Sequence, residues 1–363
     1  MKILFVFGTR PEAIKLAPVI RCLREDSRFD ARVAVTAQHR ALLDQVLEAF
    51  SIRPDHDLNV MRAGQTLGES ASRIMAALGP VLNLEKPDCV VVQGDTTSTF
   101  CGALAAFYQE IPVAHVEAGM RTGDLRQPFP EEMNRVLTSR LAALHFAATE
   151  GAAANLRGEG VSDADIFVTG NTGIDAVMFV RDSLPSFDAD LSKKIILVTA
   201  HRRESFGEGF VRICRALRRL AKRADVEIVY PVHPNPSVQS VVTEQLRGVP
   251  NIRLMEPLSY VAFVDLMRRA HILLTDSGGV QEEGPSLGKP VLVMREKTER
   301  PEAVEAGTAT LVGTDEDRIV AETARLLDDP VEYARRARIH NPYGDGRASA
   351  RIRDVLAVRF SRR

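Results

Sequence analysis

Ser277-Gly278-Gly279-Val280-Gln281-Glu282-Glu283-Gly284 follows the apolar run Ile272-Leu273-Leu274-Thr275 and leads into Pro285-Ser286-Leu287-Gly288-Lys289-Pro290-Val291. A buried strand, two glycines and a helix start predict bare backbone N–H groups aimed at one point. That arrangement holds an anion, and most usefully a diphosphate. Glu283 lies four residues after Gly279, one helical turn on, where a carboxylate reaches the hydroxyls of a ribose beside the diphosphate. A plainer reading also fits, a βα turn whose glycines only permit tight packing.

The same strand–turn–helix pattern recurs outward from this point. Ile3-Leu4-Phe5-Val6-Phe7 runs into Gly8-Thr9-Arg10 and a helix opened by Pro11-Glu12, and proline suits a first helical turn. Further strands are expected at 32–36, 89–93, 113–116 and 145–148. A second series follows at 195–198, 227–230, 253–255, 272–275 and 291–294. Uniformly apolar strands alternating with helices predict parallel sheets covered on both faces. The fold class is therefore α/β, with two doubly wound domains facing a central cleft. Residues 1–171 form the first domain, completed by a C-terminal helix over 346–363, and residues 172–345 form the second. Pro185, Ser183, Ser186 and several acids mark 172–191 as an exposed linker. Ligands of open α/β sheets sit outside the carboxyl ends of the strands, which is where every motif below falls.

Composition narrows the class. A chain of 363 residues, 45% hydrophobic and 26% charged, has room for two domains and resembles an ordinary soluble protein. A formal net charge of −1 lacks the long-range field of a nucleic-acid binder, so no nucleic-acid partner is expected. Arg215, Arg218, Arg219, Lys222 and Arg223 read as the wet face of a helix. The four cysteines, Cys22, Cys89, Cys101 and Cys214, show no CxxC pairing and read as small apolar groups in a reducing compartment. No run suits a signal peptide or a membrane span, so the expectation is a cytoplasmic protein with no membrane partner.

Several strand ends carry groups able to do chemistry. Arg10 and Lys15 flank the first helix start and offer positive charge to a phosphorylated ligand, although Lys15 also fits a solvated helix face. Asp95 follows the strand 89–93 in Gly94-Asp95-Thr96-Thr97-Ser98-Thr99, where it could equally cap a helix. Glu117 in His115-Val116-Glu117-Ala118-Gly119 is harder to explain by packing, because apolar residues precede it. In Pro130-Glu131-Glu132-Met133-Asn134-Arg135 the helix dipole accounts for an acidic pair, more readily for Glu132 than for Glu131. His201, in His201-Arg202-Arg203-Glu204, and His233 end strands of the second series. No metal-ligand spacing occurs, and neither a GxSxG element nor a cysteine in a basic turn is present. Carboxylates on one side, a histidine and arginines on the other, and a phosphate nest suit acid–base chemistry on a diphosphate-activated substrate. Spacing alone does not identify the sugar or the bond.

Taken together, Gly8-Thr9-Arg10-Pro11-Glu12, Gly94-Asp95-Thr96-Thr97-Ser98, His115-Val116-Glu117-Ala118-Gly119, Pro130-Glu131-Glu132-Met133-Asn134-Arg135, His201-Arg202-Arg203-Glu204 and Asp276-Ser277-Gly278-Gly279-Val280-Gln281-Glu282-Glu283 resemble one family. It is the bacterial non-hydrolysing UDP-N-acetylglucosamine 2-epimerases, and the likeness runs from Met1 to about Gly346. The resemblance implies a fold like the GT-B glycosyltransferases, built from two Rossmann-like domains. It implies reversible conversion of UDP-N-acetylglucosamine to UDP-N-acetylmannosamine without a cofactor, through loss of UDP to a bound 2-acetamidoglucal and re-addition. By that likeness Asp95, Glu117, Glu131 and His201 are catalytic. Arg10, Lys15, Phe263, Ser277, Gly278, Gly279, Glu283 and Arg300 bind the substrate. A second UDP-N-acetylglucosamine acting as activator is implied by Gln38, His39, Arg203 and His233, although Ala41 and Gly64 stand where some members have Gln and Arg. The likeness also implies a homodimer. Alternatives within reach are the same chemistry on a UDP-diacetamido sugar, a GT-B glycosyltransferase, and a silent sensor of UDP-sugars.

Overall fold

Two all-parallel sheets take up the apolar runs of the chain. The structure is a computed structural model and describes residues 1–36, 40–62, 64–186 and 193–360, without the side chains of Arg40, Ala41 and Arg203. The chain divides into two compact units, Met1–Ala176 with Gly344–Arg363, and Val177–Tyr343.

The first unit runs β1 (Lys2–Phe7), α1 (Arg10–Arg24), β2 (Asp30–Val35), α2 (Arg40–Ala49), β3 (His56–Asp57), α3 (Leu67–Glu85) and β4 (Cys89–Gln93). It continues with α4 (Thr97–Tyr108), β5 (Val113–Ala118), α5 (Glu131–Leu141), β6 (Leu144–Ala147), α6 (Glu150–Gly158) and β7 (Ile166–Val168). Strand order is β3-β2-β1-β4-β5-β6-β7, and Ile3 sits opposite Ala31 on one side and Cys89 on the other. Chain direction across the sheet reverses between β1 and β4, which opens a ligand crevice at their carboxyl ends. Both strands are buried there, as strands covered on two faces must be.

A helix, α7 (Thr172–Ser183), spans the division between the units. The expectation of an exposed linker over 172–191 is corrected for 172–183, while Pro185 and Ser186 are exposed and 187–191 lie outside the described residues. Ile174, Val177 and Val180 recur at helical spacing and are buried, and this periodicity outweighs the turn-forming look of Thr172-Gly173. The second unit then runs β8 (Lys194–Thr199), α8 (Glu208–Leu220), β9 (Val226–Pro231), α9 (Pro236–Leu246), β10 (Ile252–Met255), α10 (Tyr260–Arg269) and β11 (Ile272–Thr275). After it come α11 (Gly278–Glu283), β12 (Val291–Val293), α12 (Pro301–Glu305), β13 (Ala309–Leu311), α13 (Glu316–Asp328) and α14 (Pro330–Ala337). Its sheet has the order β10-β9-β8-β11-β12-β13, with the reversal between β8 and β11. Helix α8 buries Phe210, Ile213, Cys214, Leu217 and Leu220 and turns its basic face outward, where Arg219 pairs with Glu316 and Asp317.

The last helix, α15 (Ala348–Phe360), returns to the first unit and packs on α1. Its start is held by Asp175, whose carboxylate accepts the N–H of Ala348 at 3.2 Å and of Ser349 at 2.8 Å. No described helix is long and apolar enough to cross a membrane.

Candidate active site

In the first unit the functional groups gather at the β1–β4 switch point. The turn after β1 is fixed by Glu12, which is buried in the first turn of α1. Its Oε2 accepts the N–H groups of Gly8 (3.0 Å) and Thr9 (2.7 Å), and its Oε1 accepts the hydroxyls of Thr96 (2.6 Å) and Thr99 (3.0 Å) at the start of α4. Gly8 must lack a side chain, since a Cβ there would lie 2.0 Å from Thr36 Oγ1 and 2.6 Å from Ser98 Oγ. The same hub therefore sets the loops carrying Arg10, exposed on α1, and Asp95, just after β4.

Glu117 ends β5 with φ of 63°, a left-handed conformation that a glutamate seldom adopts, and pairing with β6 slips between Val116 and Ala118. The slip sends the carboxylate to Lys15 of α1 and to the side-chain amide of Gln93 of β4. Lys15 thus meets an acid of the same unit. Asp95 lies 2.7 Å from the guanidinium of Arg135, and Asn134 donates to its backbone carbonyl at 2.9 Å. Burial lifts the Asp95 carboxyl to about 6; Arg135 and Lys15 pull it down, while Glu117 and Glu131 push it up. In the first turn of α5 the two glutamates divide. Glu132 turns inward to accept the N–H groups of Thr122 (2.9 Å) and Gly123 (3.1 Å), and Glu131 stays half-buried near Asp95. From beneath, the His115 ring lies 2.7 Å from the Gly94 carbonyl through Nε2, which fixes that nitrogen as the donor. Burial drops this histidine to about 3, so it is neutral.

The second unit repeats the arrangement at its β8–β11 switch point. Asp276, fully buried at the end of β11, accepts the N–H groups of His201 (2.6 Å) and Arg202 (2.7 Å), and its other oxygen lies 3.0 Å from His201 Nδ1. Burial alone would raise this carboxyl, but the His201 ring and the two amides outweigh it and hold it below the usual range. The His201 ring stacks on that of His233 at 5.2 Å. The N–H groups of Gly278, Gly279 and Val280 precede the first intrahelical bond of α11, from Gln281 to the Ser277 carbonyl at 3.4 Å. Arg300 pairs with Glu282, and its guanidinium lies 3.5 Å from the point where a Gly278 Cβ would stand. A Cβ on Gly284 would meet Leu273 Cδ1 at 2.5 Å, so this glycine serves packing rather than ligand approach. Glu283 lies within 3.9 Å of the Cβ position of Gly279, and Phe263 is half-buried on α10. Arg295, buried, joins Glu204 (2.5 Å) to Glu299 (3.3 Å) and so ties the loop after His201 to the loop before Arg300.

The first unit thus brings Lys15, Asp95, Glu117 and Glu131 together, with Arg10 exposed at the start of α1, and the second holds His201, His233, Ser277, Gly278, Gly279, Glu283 and Arg300 around its switch point, with Phe263 on α10. Gln38 and His39 lie outside the described residues. Arg203 begins a short turn of helix at Arg203–Ser205. Sequence reasoning gave no role to Asp276, Gln93, Asn134 or Arg135. For Asp276 the signal was present, an acid placed between a buried strand and a Gly-Gly turn.

With a doubly wound sheet in each unit and functional groups at both switch points, the chain has the two-domain α/β architecture of the GT-B-like class. Residues 21–357 match the family model of UDP-N-acetylglucosamine 2-epimerase. The Escherichia coli K12 protein named UDP-N-acetylglucosamine 2-epimerase is 57% identical over 369 residues, spanning 98% of each chain. A crystal structure of the Neisseria meningitidis UDP-GlcNAc 2-epimerase bound to UDP-GlcNAc is 48% identical, covers 99% of this chain and 100% of that one, and has a TM-score of 0.89. That of the Methanocaldococcus jannaschii enzyme with UDP-GlcNAc and UDP is 34% identical, covers 99% and 100%, and has a TM-score of 0.79. The chain belongs to the UDP-N-acetylglucosamine 2-epimerase family, and its activity is 2-epimerisation of that nucleotide sugar.

Proposed function

We propose that the chain interconverts UDP-N-acetylglucosamine and UDP-N-acetylmannosamine by expelling UDP and adding it back. The hydrogen at sugar C2 is not acidic, because no carbonyl adjoins it in the ring. Its removal becomes feasible only as the C1–O bond breaks. One carboxylate takes the C2 proton, the C–H electron pair forms a C1=C2 double bond, and UDP leaves with the C1–O pair. The resulting 2-acetamidoglucal regains a proton on the opposite face of C2 while the UDP oxygen returns to C1.

The observation that carries this reading is the Asp95 carboxyl, lifted to about 6 beside two further acids. Such a group takes and returns a proton near neutral pH. Glu117, held by Lys15 and Gln93, suits stabilising the cationic ring as C1–O loosens. Glu131, near Asp95, is the third acid available to the reaction. In the second unit Ser277, Gly278, Gly279 and Arg300 take the diphosphate, Glu283 the ribose and Phe263 the uracil, with His201 at the leaving oxygen. Arg10 and Lys15 add positive charge toward the same ligand. Relatives solved with UDP-GlcNAc or UDP support this choice of substrate.

Turnover in deuterated water is expected to place deuterium at C2 of both sugar nucleotides. Unlabelled C2 after equilibration would eliminate the mechanism. A homodimer and activation by a second UDP-N-acetylglucosamine at His233, Arg203, Gln38 and His39 belong to the same proposal. Sedimentation tests the first. For the second, rates on UDP-N-acetylmannosamine with and without trace UDP-N-acetylglucosamine should differ, and identical curves refute it.

A further inference from the structure

We propose that Arg135 is a positioning residue of the epimerisation, which fixes the carboxylate of Asp95 and sets the charge against which Asp95 exchanges its proton. The inference rests on the reading of Asp95 as a proton-transferring acid. The Arg135 side chain is 8% exposed, and its guanidinium meets Asp95 Oδ2 at 2.7 Å and Glu132 Oε2 at 3.4 Å, while Nε has no hydrogen-bond partner.

A fold-stabilising role accounts poorly for that geometry. Burying a guanidinium with one N–H unsatisfied is costly, and a buried ion pair often contributes no more than apolar side chains of the same volume. The surroundings instead concentrate on Asp95. Asn134 holds its carbonyl at 2.9 Å, the neutral His115 supports Gly94 at 2.7 Å, and Glu132 is anchored by the Thr122 and Gly123 amides. The charged groups facing Asp95 are Arg135 and Glu131 of α5, Glu117 of β5 and Lys15 of α1. Lys15 is already engaged by Glu117, so Arg135 is the cation that answers Asp95 itself.

Without it Asp95 would face two carboxylates, hold its proton more tightly and rotate more freely. The test compares Arg135→Met and Arg135→Lys with the native enzyme across pH, in both reaction directions. Arg135→Met should lower kcat about tenfold or more, leave KM within about twofold, and move the Asp95-dependent limb of kcat/KM upward by about one unit. Arg135→Lys keeps the charge and should return the limb to near its native position. A folded Arg135→Met enzyme with an unmoved limb overturns the proposal. So does a lysine variant no better than methionine. Should Arg135→Met fail to fold, Arg135→Gln, which keeps hydrogen-bond donors but not the charge, takes its place; an unmoved limb in the folded glutamine variant overturns the proposal. Full turnover by Asp95→Asn alone would sink the reading of Asp95 as well, whereas an inactive Asp95→Asn with an unmoved Arg135→Met limb sinks only this inference.

Discussion

Asp95 shows how catalysis is bought with stability. An ordinary aspartate titrates near 3.8, and this one is lifted to about 6, so the fold disfavours its ionised form. The cost of ionising it in the folded state builds as pH rises from the unfolded value through about 6, and at neutral pH the charged carboxylate costs about 3 kcal/mol. Asparagine mimics the protonated form. Asp95→Asn should therefore melt higher than the native enzyme at pH 7.5, and the difference should vanish near pH 4. Denaturant titrations at both pH values measure it; equal midpoints at pH 7.5 would contradict the raised titration. Native turnover should in turn fall as pH drops through about 6 in the direction where Asp95 must be ionised.

At the level of helices and turns, Glu12 carries more than its place in a helix start suggests. It closes the β1–α1 turn and reaches across to the first turn of α4. Glutamine can keep an oxygen on the fixed amides of Gly8 and Thr9 and offer its NH₂ to hydroxyls that rotate to accept. Alanine leaves the Gly8 and Thr9 amides with no partner and takes the shared carboxylate from the Thr96 and Thr99 hydroxyls, which keep each other and the Gln93 carbonyl. Glu12→Gln should thus cost about 1 kcal/mol and Glu12→Ala about 3 kcal/mol or more in urea unfolding. Similar losses in both would mean that the hub is not what holds the turn. The contrast also marks what a sequence discloses. The helix start at Pro11-Glu12 and the apolar strands were legible because they follow from local periodicity and turn chemistry. Glu12's reach to Thr96, Lys15's pairing with Glu117 and Arg135's with Asp95 were not, since each partner arrives from a different strand end. The short β3, β7 and β13 were missed because two or three residues give no period to count. Helix α7 was taken for a linker because Ser183, Pro185, Ser186 and nearby acids outweighed its buried Ile174, Val177 and Val180.

The C-terminal segment tests whether the two units are separate in stability as well as in contacts. Helix α15 follows the whole of the second unit in sequence, yet it packs on α1 and takes its cap from Asp175. Ile352 and Leu356 are fully buried there, and burying two such side chains contributes roughly 3–6 kcal/mol. Deleting the residues after Tyr343 should remove that amount from the first unit alone. Hydrogen exchange of the truncated chain should show faster exchange in peptides of α1, β1 and β2, whose packing borders the lost helix. Peptides of β8, β9 and β11 should keep native protection, because their core is closed by α8, α9 and α13 within Val177–Tyr343. Activity should fall with the first unit, since Lys15 on α1 carries Glu117. Loss of protection spread evenly over both sheets would show instead that the units unfold as one, and the helix would then support the entire chain rather than the unit it joins.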